Sequence, residues 1–500
     1  MFRHKSRYNS PMKTLYYGDN LEILRNKIPD NSVDLCYIDP PFNSKRSYFQ
    51  IYNNIGGSED KAQAQAFVDT WTWDSRAVEG YTEITTNHNG RFTKQAIELI
   101  KGLELVLGTG DLLAYLIHIT LRVTEIFRVL KPTGSFYLHC DPTASHYLKL
   151  VLDAVFCGRG GQYINELAWC YASGGVSKKW FAKKHDIIFY YSKSPSRIFN
   201  QQYRPYTEGT LQRGLTQYKK NLNENYKLKA EGAAMSDWWS DITPLLSPTM
   251  RERMGYPTQK PEALLERIIK TSSNPGDLVL DAYCGCGTTV AVANRLDRQW
   301  IGIDITYHSI GLILKRLADA NGGQLPADII VDGIPQDIES ARALANRDDD
   351  RVRKEFEKWA VLTYTNNRAV INEKKGADKG IDGVVYFATG PGQTARMVIQ
   401  VKSGGANRGT IATLKGDMQR ERAELALLIT MDDPTKPMIS EAKSVGVYEH
   451  ALMGRSYDRI RIVTVREMIE QDARIDLPLS YDAVKPGKKG ADDLQMRMDL

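Results

Sequence analysis

The order of apolar and polar positions predicts strands and helices of an α/β protein. The apolar run at 33–38 predicts a buried strand, and the segment Asp39-Pro40-Pro41-Phe42 follows it directly. Further along, the pattern predicts a strand at 278–280, a helix at 288–296 and another strand at 300–303. This order predicts a βαβ unit, whose two strands lie in one parallel sheet.

The segment Asp39-Pro40-Pro41-Phe42 ends its strand where ligands bind in open α/β sheets, at the carboxyl end. The prolines remove two N–H donors, so a carboxylate and carbonyl oxygens remain as acceptors beside an aromatic ring. This set suits a flat heterocycle that carries an exocyclic amine. Asp-Pro-Pro is also an ordinary turn sequence, and the segment alone leaves both interpretations open.

The βαβ unit carries a second candidate site. Gly285 and Gly287 would let the backbone approach a ligand closely, and Asp304 after the second strand could hold both hydroxyls of a ribose. The spacing lacks the third glycine of a dinucleotide fingerprint, so a structural turn is the alternative.

Length and composition restrict the class of protein. The 500 residues suffice for roughly two to four domains, and 42% hydrophobic with 25% charged residues is typical of a globular protein. The sequence shows no apolar run of about 18 residues and no apolar core of a signal peptide. The six cysteines form no Cys-x-x-Cys pair. We expect reduced thiols, no membrane contact and a cytoplasmic, nucleoid-associated protein of a prokaryote or phage.

Positive charge is concentrated in one part of the chain. The net charge is +6, yet residues 171–230 alone contain twelve Lys or Arg and three Asp or Glu, with tyrosines between them. Cations that meet phosphates and rings that stack on bases are typical of a nucleic-acid surface. A solvated basic face is the alternative.

Three segments resemble the β-class DNA amino-methyltransferases, over roughly 12–310. They are residues 256–281, which resemble the lead-in to the cofactor loop, residues 129–141, and residues 173–193, which resemble a target-recognition segment. The catalytic motif precedes the cofactor motif, as in the permuted order of this class. The fold implied is a Rossmann-like, S-adenosylmethionine-dependent methyltransferase sheet with an inserted target-recognition region.

The resemblance implies a role for each matching residue. The Asp39 carboxylate and Pro40 carbonyl would accept the two amine N–H bonds, Pro41 would complete the motif, and Phe42 would stack on a base flipped out of double-stranded DNA. The implied cofactor residues are Thr258, Lys260, Pro261, Asp281, Tyr283, Gly285, Gly287, Thr288 and Asp304. Tyr283 stands where the family often has Phe. The implied DNA-binding residues are Lys178, Lys179, Lys183, Lys184 and Lys193.

The type of base follows from the resemblance as well. In this family Asp at the first motif position usually accompanies adenine N6, and Ser accompanies cytosine N4. Asp39 therefore predicts an adenine-N6 methyltransferase of a restriction–modification system, and a cytosine-N4 enzyme is the alternative. No Pro-Cys pair is present, so the sequence does not predict a cytosine-C5 enzyme.

A second domain is predicted towards the C-terminus. Residues 353–364 have a helical pattern, and two strand-like runs at 380–387 and 397–403 would place Asp382, Gln400 and Lys402 at one end of a hairpin. Such a cluster can bind a divalent metal beside a scissile phosphate. It resembles the PD-(D/E)xK nucleases of the Mrr type, a smaller α/β fold.

That resemblance implies a Mg²⁺-dependent endonuclease with Asp382 as metal ligand and Glu357 as a further one. Gln400 departs from the usual acid, so a domain that only binds DNA is the alternative. We expect a methyltransferase domain at 12–325 with its insert at about 160–250, and a linker at 326–350. The nuclease-like domain would span 351–475 and a tail 476–500; a homodimer stays open.

Overall fold

The computed structural model describes most of the chain. It covers residues 13–41, 71–171, 178–212, 228–245, 252–254, 256, 258–346, 353–366, 368–372, 380–389, 393–451 and 453–478. For residues 46–51, 63–69, 213–215, 350–352 and 390 it describes the backbone alone.

Nine strands form the main sheet. They are β1 (Lys13–Tyr17), β2 (Val33–Ile38), β5 (Leu130–Cys140), β6 (Gln162–Cys170), β7 (His185–Ser192), β10 (Trp238–Trp239), β11 (Leu278–Asp281), β12 (Gln299–Asp304) and β13 (Ile329–Asp332). Their order is β10-β6-β7-β5-β2-β11-β12-β1-β13, and β7 alone runs antiparallel to both of its neighbours. Every residue of β2 and β11 is buried, as expected for central parallel strands covered on both faces. The Rossmann-like sheet that the sequence predicted is therefore confirmed.

Helices cover this sheet on its two faces. They are α1 (Asn20–Lys27), α2 (Ser75–Thr86), α3 (Lys94–Leu107), α4 (Asp111–Val129), α5 (Ser145–Phe156), α6 (Glu208–Leu215), α7 (Glu262–Ser272), α8 (Thr288–Arg295), α9 (Tyr307–Ala320) and α10 (Ile338–Ala345). Two-stranded ribbons are formed by β3 (Arg46–Ile51) with β4 (Gln63–Asp69), and by β8 (Tyr203–Arg204) with β9 (Ala233–Ala234).

The C-terminal region has a five-stranded sheet of its own. Its strands are β14 (Val370–Ile371), β15 (Gly383–Gly390), β16 (Gln393–Lys402), β17 (Leu425–Thr430) and β20 (Ile460–Thr464), in that order. Around it lie α11 (Asp350–Tyr364), α12 (Arg408–Arg420), α13 (Lys436–Ser444), α14 (Val465–Glu470) and the ribbon of β18 (Val447–His450) with β19 (Arg455–Asp458). A second, smaller α/β unit is therefore present, as predicted.

Within the segment 326–350, which we expected to be a linker, the described residues 326–346 contain a strand and a helix. Its strand β13 pairs in parallel with β1, because the apolar run at 329–331 supplies an edge strand to the main sheet. Its helix α10 packs against α11, and one continuous apolar core runs from the main sheet into the C-terminal sheet. The two α/β units therefore share a core instead of being joined by a free linker.

Candidate active site

Asp39 lies at the carboxyl edge of the main sheet, directly after β2. Its Oδ2 accepts a hydrogen bond of 2.7 Å from Lys260 Nζ, and both side chains are largely buried, with 16% and 12% of their surfaces exposed. Pro40 is buried and Pro41 is partly buried. A charged pair in this setting fixes the carboxylate in one orientation. Phe42 lies outside the described residues.

The glycine loop lies next to Asp39, because β11 is the neighbour of β2 in the sheet. Gly285 and Gly287 both have positive φ angles, 48° and 76°, which residues with a side chain rarely adopt. The Gly285 N–H donates to Asp304 Oδ2 at 2.9 Å. A Cβ atom on Gly287 would come within 2.6 Å of Ile313 on α9, so this position requires glycine.

The two acids of the loop are buried enough to change their protonation. Burial raises the pKa of Asp281 to about 7, helped by the charges of Asp39 and Asp304. Burial raises the pKa of Asp304 to about 6, although the N–H groups of Thr306 and Gly285 oppose the shift. The ionised forms of these two acids are therefore disfavoured at this edge, and a bound ligand that donates hydrogen bonds to them would stabilise them.

Residues of α1 and α4 hold the loop in place. The Tyr283 hydroxyl and His118 Nε2 are 2.8 Å apart, and Asn20 Nδ2 donates to the Ala282 carbonyl at 2.7 Å. Burial lowers the pKa of His118 well below its usual value, so the imidazole is neutral. His118 and Asn20 were not predicted from the sequence, because they lie within ordinary amphipathic helices and carry no motif of their own.

The remaining predicted cofactor residues lie around the same loop. Pro261 is buried at the start of α7, and Thr258 is partly buried shortly before it. Thr288 is buried in the first turn of α8, where its Oγ1 accepts from Arg316 Nη1 at 3.4 Å. Lys260, which we expected at the cofactor, is paired with Asp39.

A buried polar network lies on the other side of Asp39. His139, at the end of β5, contacts Tyr37 Oη at 2.9 Å and Asp186 Oδ2 at 3.1 Å, and Tyr171 Oη donates to Asp186 Oδ1. Burial alone would raise the pKa of Asp186, but the hydrogen bond and charge of His139, with the charge of Lys260, lower it. The network fixes the start of β7 to the edge that carries Asp39.

The predicted DNA-binding lysines separate into two groups. Lys178, Lys179 and Lys183 are exposed and Lys184 is partly exposed, in the segment before β7. Lys193 instead donates to the carbonyls of Arg128 and Leu130, at 3.1 and 2.5 Å. These bonds cap the end of α4, and burial lowers the pKa of Lys193 to about 8. A DNA contact by Lys193 stays a prediction.

The exposed aromatic residues differ from those we expected. Tyr190 and Tyr191, counted with the basic window, are buried in the core because β7 lies between β5 and β6. Trp180 and Phe181, between the lysines of the same segment, are 67% and 99% exposed. The run Lys-Lys-Trp-Phe-Ala-Lys-Lys was the signal in the sequence that would have identified them.

Of the predicted nuclease residues, Asp382 and Gln400 lie at the same end of the β15–β16 hairpin and bond to backbone atoms of their own sheet. Asp382 Oδ2 accepts from the Val401 N–H at 2.7 Å, and Gln400 Nε2 donates to the Gly380 carbonyl at 2.7 Å. Lys402 is partly buried at the end of β16, and Glu357 is partly buried on α11.

The predicted Mg²⁺ site does not fit these residues. Within the part of the chain that the structure describes, no three His, Cys, Asp or Glu side chains form a metal-binding group. Asp382 already accepts a backbone N–H, and Gln400 contributes an uncharged amide whose Oε1 is buried without a hydrogen-bond partner within the described ranges. Mg²⁺ prefers more charge from its ligands. We derive no step that needs this metal.

S-adenosylmethionine, in contrast, fits the edge of the main sheet. Asp304 lies at the strand end where an acid can bind ribose hydroxyls, and the positive φ angles of Gly285 and Gly287 give the loop before α8 its tight turn. Asp281 and Tyr283 lie at the start of the same loop and would face the methionine part. Among the described residues no helix is long and apolar enough to span a membrane.

Comparisons with known proteins identify the family of the methyltransferase part of the chain. Residues 33–315 match the N6/N4 methyltransferase family described as DNA methylase. DNA adenine methyltransferase YhdJ of Escherichia coli is 29% identical over 315 residues, which are 62% of this chain and 85% of that protein. Type II methyltransferase M.HpaI of Haemophilus parainfluenzae is 30% identical over 258 residues, 50% of this chain and 73% of that protein. The structure titled PvuII DNA methyltransferase (cytosine-N4-specific) has a TM-score of 0.36 at 15% identity, covering 70% of this chain and 93% of that one.

The C-terminal region matches a different family. Residues 352–470 match the family described as NACHT-associated inactive Restriction Endonuclease 1. The likeness to an endonuclease fold is therefore supported, whereas the Mrr-type nuclease expected from the sequence is not shown.

Proposed function

We propose that this chain, which belongs to the N6/N4 DNA methylase family, transfers a methyl group from S-adenosylmethionine to the N6 amine of adenine in double-stranded DNA. The observation that carries the proposal is the position of Asp39, at the sheet edge that also carries the glycine loop and Asp304. The name of the E. coli relative, a DNA adenine methyltransferase, supports adenine. The M.HpaI relative, a type II methyltransferase, supports a restriction–modification setting.

The residues of the chain would act by holding the amine. Bound S-adenosylmethionine supplies an electrophilic methyl group, and no covalent bond to the protein is needed. The Asp39 carboxylate and the Pro40 carbonyl would accept the two N–H bonds of the amine and so direct its lone pair to the methyl carbon. Lys260 keeps the Asp39 carboxylate oriented through Oδ2. After transfer, the Asp39 carboxylate would accept the proton that the nitrogen loses.

The target base must leave the helix to reach this edge, because its amine is paired within the duplex. The exposed lysines Lys178, Lys179 and Lys183 lie beside the edge and would bind the phosphates on either side.

Tritiated cofactor tests the choice of base. The protein is incubated with duplex DNA and tritiated S-adenosylmethionine, and the DNA is digested to nucleosides. We expect the label in N6-methyladenine. Label in N4-methylcytosine would instead establish the alternative base, with the family unchanged.

For the C-terminal region we infer a supporting role without DNA cleavage. Gln400 Nε2 and one Asp382 oxygen bond to the backbone of their own sheet, and α11 packs against α9 and α10 of the methyltransferase unit. Wild type and Asp382→Ala are compared for Mg²⁺-dependent cleavage of methylated and unmethylated DNA. We expect neither protein to cleave DNA. Cleavage by the wild type that is abolished in Asp382→Ala would instead support an active nuclease.

A further inference from the structure

A short segment before β7 exposes two large aromatic side chains side by side. Residues 178–184 read Lys-Lys-Trp-Phe-Ala-Lys-Lys, with Phe181 99% and Trp180 67% exposed. Single exposed apolar residues are common on protein surfaces, but adjacent aromatic rings between two lysine pairs indicate a contact surface. The lysines make that surface suited to a polyanion.

The position of this segment relates it to Asp39. The Tyr171 N–H donates to the Lys184 carbonyl at 3.0 Å, which closes the base of the segment. Two residues later, Asp186 is hydrogen-bonded to His139 at the end of β5, and its pKa responds to the charge of Lys260, the partner of Asp39. The aromatic pair therefore projects from the same sheet edge as the methyl-transfer site.

DNA whose base is turned out of the stack leaves a gap, and proteins that unstack DNA insert apolar side chains at such places. We propose that Phe181, supported by Trp180, enters the duplex at the place of the target base and holds the base out of the helix, while the lysines bind the adjacent phosphates. This inference rests on the proposed function and names the residues that would make base flipping possible.

Paired and pre-opened substrates test the proposal. The methylated sequence is first mapped on DNA modified by the wild type. Two duplexes are then made, one with the target adenine paired to thymine and one with the target opposite an abasic site. Opening the second duplex costs less free energy, so its methylation should depend less on the insertion of Phe181.

We expect Phe181→Ala to methylate the paired duplex at least about tenfold more slowly than the wild type, because the inserted ring no longer offsets the cost of unstacking. On the duplex with the abasic site it should reach within about threefold of the wild type. Phe181→Leu, which keeps an apolar side chain, should retain most of the activity. Phe199→Ala is the matched control, since Phe199 is 50% exposed but lies outside this segment.

An equal loss of methylation rate on both duplexes would overturn the insertion of Phe181, since it would indicate weakened folding or weakened DNA binding. No loss on the paired duplex would overturn it as well. If the wild type does not methylate adenine at all, the proposed function fails, and that result is separate from either outcome for Phe181.

Discussion

Asp39 and Lys260 lie 221 positions apart in the chain, and their side chains form an ion pair of 2.7 Å. The sequence motif identified Asp39, whereas the resemblance assigned Lys260 to the cofactor. The structure pairs Lys260 with Oδ2 of Asp39. Under the proposed function, the other carboxylate oxygen would accept the amine. The two assignments predict different kinetics.

We expect Lys260→Met to lower kcat by roughly 10- to 100-fold with little change in the KM for S-adenosylmethionine, because an oriented carboxylate is lost. Steady-state kinetics with duplex DNA in excess measure both constants. A raised KM at unchanged kcat would return Lys260 to the cofactor site.

The pKa of Asp304, raised by burial to about 6, predicts a pH dependence of cofactor binding. Below about pH 6 the carboxyl is protonated and a ribose hydroxyl loses its charged acceptor, so the Kd should rise up to roughly tenfold per pH unit. Titration calorimetry from pH 5 to 8 measures it.

Asp304→Asn is the control, and its Kd for the cofactor should show no change near pH 6. The raised pKa means that the folded chain binds this proton more tightly than the unfolded chain, so for this group the fold gains stability as the pH falls. A Kd independent of pH would contradict the role of Asp304.

At the scale of elements, the start of α8 determines the shape of the cofactor loop. Gly287 begins this helix with a φ of 76°, and α9 packs so closely that Ile313 occupies the place of a side chain. The sequence predicted the strand, glycine turn and helix within a residue or two, because each has a local signal. It could not predict the contact with α9, which depends on tertiary packing.

Gly287→Ala should therefore destabilise the protein by about 2–4 kcal/mol, from backbone strain and a steric clash together. Gly276→Ala isolates the strain, because Gly276 has a φ of 87° but no atom within 4 Å of the added carbon. It should cost about 1 kcal/mol. Urea unfolding measures both variants, and equal losses would show that the packing against Ile313 is unimportant.

At the scale of the whole molecule, the C-terminal unit directly contacts the edge of the main sheet that carries Asp304. Glu355 on α11 accepts from the Tyr307 N–H at 3.0 Å and from Tyr17 Oη at 3.3 Å. Tyr307 opens α9 three residues after Asp304, and Tyr17 pairs with Asp304 across β1 and β12. The sequence indicated both units but not this junction, since Glu355 has no motif.

We expect Glu355→Ala to raise the Kd for S-adenosylmethionine by roughly 3- to 10-fold, through loss of charged hydrogen bonds at the start of α9. Glu355→Gln keeps an acceptor for the Tyr307 N–H and should be affected less. Glu339→Gln, an exposed residue on α10, is the matched control. Fluorescence titration measures binding, and wild-type affinity in Glu355→Ala would show that the two units are not coupled there.

The sequence therefore predicts the chemistry of the motifs. Asp39, the glycine loop and Asp304 were predicted because each follows a strand with a clear apolar pattern. The strand β13 within the expected linker at 326–350 was not predicted, because β13 is short and its pairing with β1 is a long-range contact. Among the described residues the Mg²⁺ site is not supported either, since Asp382 and Gln400 at one end of the hairpin bond to backbone atoms of their own sheet, which spacing does not reveal.

Modified-base sequencing of a methylation-free bacterial host that expresses the protein tests the central claim most directly. The account predicts N6-methyladenine at one recurring sequence with the wild type, and its loss with Asp39→Ala. Modification confined to cytosine N4, or adenine methylation that persists in Asp39→Ala, would contradict it.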